Sequence, residues 1–171
     1  MGVREGVKLY NFDGVDDVVT LSPVLAEFLR KAAGGRDLEL FLADLLAQSL
    51  DPPRRVELYL RLYEKYLADA EELYSKGDLP QAGEKYWGAV TALLNAIAEI
   101  RGAPHYSHRD YAELIGQLYE ETGDKELVMW FRMAEGLHAN FYHNFMKAKE
   151  FELHRDAVLK LVERLKGFLA A

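Results

Sequence analysis

His138 sits where apolar side chains recur at helical spacing, in the run from Asp124 to Phe145. At ~100° per residue, Leu127, Phe131, Ala134, Phe141, Tyr142 and Phe145 all fall within about 60° of it. An imidazole in such a stripe needs a hydrogen-bonding partner, and an oriented imidazole can move a proton or grip a ligand near neutral pH. Glu135 stands one turn earlier and Arg132 further round the same flank, so an acid, a base and a histidine border one groove. Asn140 and Tyr142 complete the candidate ligand or interface set on this helix. The competing reading is a core or dimer-interface histidine satisfied by a tyrosine or glutamate.

A second cluster lies in the loop Ala103 to Arg109, where His105 and His108 flank Tyr106. With His143 or His154 they could ligate zinc as neutral imidazoles, but no carboxylate or cysteine stands beside them at ligand spacing. They are read as polar loop residues with a possible ligand or interface role, and no metal or cofactor is expected. Trp87, Trp130 and the tyrosines at 59, 63 and 66 could stack on a base, yet their helical spacing favours core packing. Gly34-Gly35 and Gly77 lack the Gly-x-x-x-x-Gly-Lys context of a phosphate loop, and no serine occupies a nucleophile elbow. Nucleotide hydrolysis of the P-loop kind is therefore excluded, and acyl transfer has no support.

The elements that must position these residues are helices. Ser22-Pro23 starts one over Val24 to Ala33, ended by Gly34-Gly35, and Asp37 caps the next through Leu50, where Asp51-Pro52-Pro53 intervenes. From Arg54 to Lys76 the set Val56, Tyr59, Leu60, Tyr63, Tyr66, Leu67, Ala70, Leu73 and Tyr74 keeps helical period. Gly77, Asp78 and Pro80 then make a tight link into an arm bearing Ala82, Tyr86, Ala89, Val90, Leu93, Ile97 and Ile100 on one face. Gly83 and Gly88 on that arm admit a close neighbour. Ser107 caps a helix through Leu118, Asp124 caps the His138 helix, and Phe151, Val158, Leu161, Leu165 and Phe168 mark a last one. Before all of these, Val7 to Phe12 reads as a strand or extended arm and Asp13 to Asp17 as a turn.

At 171 residues the chain suits one domain, large enough to bury about two thirds of its unfolded surface. Cysteine is absent, which removes disulfides, thiol nucleophiles and cysteine-ligated zinc. A formal net charge of -7 repels phosphate backbones and argues against a general nucleic-acid coat protein. Arg54, Arg55, Arg61 and Lys65 alternate with Glu57 and Glu64, as on a solvated helix face. Charged residues interrupt every apolar stretch, so no membrane span is expected, and without an export signal the prediction is a cytoplasmic protein. Abundant Glu, Lys and Arg with few Asn and Gln suit a thermophile.

Two segments, Lys76-Gly-Asp-Leu-Pro-Gln-Ala-Gly-Glu-Lys-Tyr-Trp-Gly-Ala89 and Ala134-Glu-Gly-Leu-His-Ala-Asn-Phe-Tyr142, resemble the archaeal PaREP family, over about Arg54 to Leu165. That family is similar to the HEPN superfamily of helical bundles, many of which dimerise. Some are metal-independent ribonucleases or partners of nucleotidyltransferases. The helical pattern predicts an all-α, antiparallel up-and-down bundle over residues 37–171, with a partly irregular extension over 1–36 packed on it, and the resemblance implies that the core of the bundle, about residues 54–165, is HEPN-like. It also implies that Arg132 and His138 match the arginine and histidine of HEPN nucleases, and that Glu84 lies near the His138 helix. The histidine would then take a 2'-hydroxyl proton, the arginine would stabilise the phosphorane-like charge, and Glu135 or Glu84 would orient the ring. The first expectation is a homodimeric binding or regulatory module for a nucleotide, RNA or a nucleotidyltransferase-type partner. The second is a ribonuclease using Arg132 and His138. A third, from the single echo of a tetratricopeptide hairpin around Leu79, is a peptide-binding scaffold.

Overall fold

Helix starts and stops fall where capping chemistry puts them. The computed structural model describes residues 7–8 and 18–169, and seven helices occur among them. They are α1 (Pro23–Ala33), α2 (Leu38–Ala47), α3 (Pro52–Ser75), α4 (Leu79–Arg101), α5 (His108–Thr122), α6 (Lys125–His143) and α7 (Ala148–Lys166). The protein is all-α apart from two two-residue strands, β1 (Val7–Lys8) and β2 (Val18–Val19), which pair antiparallel with Val7 opposite Val19. The rest of the arm expected over Val7 to Phe12, and the turn Asp13 to Asp17, lie outside the described residues.

The chain forms two compact units, Met1–Phe41 and Leu42–Ala171, with α2 running across the boundary. In the first, Ser22 Oγ accepts a hydrogen bond from Leu25 N and Gly34 ends α1 in the left-handed region at φ 60°. Val24, Leu25 and Phe28 are exposed on α1.

The second unit is built around α4. Asp51 and Asp78 cap α3 and α4 through the Arg54 and Gln81 amides, and both helices carry proline in the first turn. The sequence gives α4 one apolar face, but every residue from Tyr86 to Ala98 is buried, because α3, α5, α6 and α7 all pack on it. Its polar residues are satisfied internally: Thr91 Oγ1 donates within reach of Trp87 O and Gly88 O, both at 3.1 Å. The Asn95 amide nitrogen faces Thr91 O, His105 O and Tyr111 Oη, which ties the 103–107 loop to the helix.

Glycine sets how closely α6 can approach. A Cβ at Gly83 would stand 2.9 Å from Leu137 O and 3.3 Å from the Phe151 ring, so only hydrogen lets the two backbones meet there. The next residue along each helix is Glu84 and His138. Helix α6 ends at His143 with Asn144 left-handed at φ 44°, short of Phe145. Phe145 is therefore exposed, and not part of the packed stripe that its spacing suggested.

Candidate functional site

Three helices converge on His138. From α4, Glu84 Oε2 lies 2.6 Å from His138 Nδ1, with the two side chains 12% and 20% exposed. An ionised carboxylate only accepts, so Nδ1 carries the hydrogen and Nε2 becomes the nitrogen that can meet a ligand. One turn further along α4, the buried Trp87 indole stacks against His138, with ring centroids 5.3 Å apart and planes 28° apart.

Helix α5 brings the second imidazole. His108 stacks on the same indole at 5.1 Å and 11°, and lies 5.3 Å from the His138 ring, so the three centroids form a nearly equilateral triangle. His108 is the first residue of α5 because Ser107 Oγ caps the Asp110 amide while the Asp110 carboxylate accepts from Ser107 Oγ and Tyr106 N. Those hydrogen bonds, the Ser107 hydroxyl foremost, hold the Asp110 carboxyl below its usual range. Tyr111 meets the indole edge-on at 6.2 Å.

On the open side Tyr142 sets its ring edge-on to His138 at 5.2 Å and 89° while remaining 53% exposed. Partial burial, then the Glu84 charge, push its phenol up. The site thus offers one fixed imidazole, a second beside it, a phenol at the rim and a buried indole as the wall.

The remaining candidates lie apart from this cluster. Arg132 Nη1 donates to Glu135 Oε2 at 2.6 Å, and its guanidinium lies over the Phe131 ring with the side chain 60% exposed. These two residues form their own ion pair, and Glu84 is the carboxylate at the His138 ring. Asn140 is fully buried, ~200° from His138 on the helix, and its Oδ1 accepts from Met146 N to close the α6–α7 turn. Its Nδ2 is buried without a partner.

His105 points into the core, where Nε2 meets Glu99 Oε1 at 2.8 Å and the ring lies edge-on to Tyr59. Tyr59 donates to Asp44 Oδ1 at 2.9 Å, and burial with the Asp44 charge pushes its phenol far up. The two loop histidines therefore part: His105 anchors the loop and His108 serves the site. His154 Nδ1 donates to Met133 O, and no group of three metal-ligating side chains occurs among the described residues. An open groove lined by Trp130, Leu159, Lys160, Glu163, Arg164 and Gly167 shares no residue with the cluster.

Sequence reasoning read Trp87 as core packing, and it is buried; its contact with the two histidines was the part it missed. The signal was the spacing of Glu84 and Trp87, which puts them on neighbouring positions of one α4 face.

The model of the archaeal PaREP1/PaREP8 family matches residues 58–162, well over half of the chain and inclusive of Glu84, Trp87, His108, His138 and Tyr142. A protein from Sulfolobus solfataricus, known from its crystal structure, is similar in fold at a TM-score of 0.55 and 24% identity, over 63% of this chain and 95% of that one. No curated protein matches the chain significantly.

Proposed function

The chain belongs to the archaeal PaREP1/PaREP8 family, and from that premise we propose that it is a homodimeric, HEPN-like binding or regulatory module whose ligand is a nucleotide or RNA. The observation that carries this reading is the Glu84–His138 contact at 2.6 Å, set at the rim of the bundle beside His108 and against Trp87. A histidine serving only the core has no use for a second imidazole and an exposed phenol at its open edge. Burial of the carboxylate and stacking on the indole fix the ring before any ligand arrives, which lowers the cost of binding.

The test is anisotropy of a fluorescein-labelled single-stranded RNA, with calorimetry for 5'-AMP, on wild-type and His138→Ala protein. Saturable binding that the substitution weakens supports the module. Absence of binding to both ligands at millimolar concentration removes it.

The same 2.6 Å contact favours a second reading, a metal-independent ribonuclease in which His138 takes the 2'-hydroxyl proton. Arg132 would have to leave Glu135 to serve that reaction. Incubation with mixed RNA in chelator decides: cleavage by wild type that His138→Ala abolishes establishes catalysis, and intact RNA in both leaves the binding module.

A further inference from the structure

We infer that the exposed face of α1 is a self-complementary docking surface whose occupant is α1 of a second copy of this chain, the two helices lying antiparallel. This rests on the homodimeric part of the reading above, and it names the surface through which the copies meet.

The helix is barely covered. Of its 11 residues only Ala33 is buried, and a free helix of that length is marginal in water, so its stability calls for cover on an apolar face. Such a face exists. At ~100° per residue Val24, Leu25, Phe28 and Ala32 fall within about 100° of arc. All four are exposed, the three large side chains at 55% to 64%. Together those three leave roughly 300 Å² of apolar surface in water, the scale at which a single patch marks an interaction site.

Charge identifies the occupant. Glu27 and Lys31 border the stripe on its Val24 side, paired with each other at 2.6 Å on the surface, and the Lys31 ammonium lies over the Phe28 ring. A covering helix has to offer the opposite charges in that order, one turn apart, beside an apolar stripe with room for Phe28. Run antiparallel, α1 is such a helix. A two-fold axis level with Leu29 sets Glu27 opposite the partner's Lys31, and Lys31 opposite the partner's Glu27. Each Phe28, leaning toward its own N-terminus, then packs over the partner's Ala32. Counting both sides, the helix pair covers about 1,000 Å², the low end of specific interfaces, so the dimer should form in the micromolar range. The surface lies outside residues 58–162 and can be altered without touching Glu84 or His138.

The experiment is sedimentation velocity of the full chain across the micromolar range, with anisotropy of labelled RNA in parallel. Wild type is expected to pass from monomer to dimer. Phe28→Asp should match wild type in circular dichroism under monomeric conditions and in RNA binding, and raise the dimer dissociation constant about tenfold or more, as loss of a central aromatic anchor does. Glu27→Lys and Lys31→Glu each set like charges opposite one another and should weaken self-association severalfold. An equimolar mixture of those two variants restores opposite charges at both contacts and should dimerise as wild type does.

A wild-type dimer that Phe28→Asp leaves intact, or a mixture no tighter than either charge variant alone, overturns the α1 surface and leaves the homodimer standing. A wild type that stays monomeric at every concentration overturns both, and capture of that monomer by anionic phosphatidylserine vesicles assigns the stripe to a lipid surface instead.

Discussion

Glu84 meets His138 because the residues before them, Gly83 and Leu137, bring two backbones to contact, and this makes the site sensitive to a single methyl group. Alanine in a helix interior ordinarily stabilises by about 1 kcal/mol relative to glycine. At Gly83 the added carbon would sit 2.9 Å from a backbone oxygen, and the overpacking cost of about 1–3 kcal/mol exceeds that gain. Gly83→Ala should therefore lower stability in chemical denaturation and disturb the His138 ring signal. Gly116 provides the contrast, since nothing lies within 4 Å of a Cβ there, and Gly116→Ala should raise stability by about 0.5–1 kcal/mol. Equal effects at the two positions would remove the close-approach argument.

The same residues show what could be read beforehand. His138 declared itself through the apolar spacing around it, and family resemblance pointed to Glu84. His108 did not, because its approach depends on the loop 103–107 closing back onto α4 through Asn95 and His105, a long-range event that leaves no local pattern. Arg132 sits at a spacing compatible with the histidine, but its neighbour Glu135, three residues on, captures it first.

At the scale of elements, the caps decide where the second imidazole stands. Ser107 and Asp110 hold each other and the Tyr106 amide, and this fixes the first turn of α5 that carries His108. Ser107→Ala should cost about 1 kcal/mol, the usual value of an N-cap, seen as a lowered melting temperature. It should also move the His108 ring signals while leaving those of His105 in place. A variant that shifts neither would mean that Trp87 packing alone sets His108.

Helix starts were legible because Ser22, Asp37, Asp51, Asp78, Ser107 and Asp124 each cap the helix that follows. Two features were less so. Helix α4 looks one-sided, but its small residues Gly83, Gly88, Ala89, Ala92 and Ala96 admit neighbours all round. The end of α6 was hidden by Phe145, whose spacing continues the stripe after Asn144 has turned the chain away.

Across the larger unit, one polar network joins helices that are distant in sequence. Arg155 on α7 donates through Nε to Tyr86 Oη on α4 at 2.7 Å and through Nη2 to Glu71 Oε2 on α3 at 2.5 Å. The Tyr86 hydroxyl completes the ring by donating to Glu71 Oε1 at 2.6 Å, and the Arg155 guanidinium also lies over the Tyr74 ring. Burial pushes the Glu71 carboxyl up, but the hydrogen bonds from Arg155 and Tyr86 outweigh it and leave the group below its usual value. A carboxyl held low in the folded state binds fewer protons there than in the unfolded chain. The network's stabilisation is therefore complete above the ordinary carboxylate range and is lost as acid titrates the folded group. Glu71→Gln should flatten the fall in melting temperature between about pH 5 and pH 3. At neutral pH it should be the less stable protein, because Arg155 keeps its buried stem and loses its nearer countercharge, with only Asp156 left at 3.7 Å. Tyr86→Phe keeps the ion pair and removes only the bridging hydroxyl, so it should lower stability by about 1 kcal/mol while retaining most of the acid sensitivity. If Glu71→Gln and wild type lose stability in parallel on acidification, another carboxylate governs that limb and the three-helix tie is not its source.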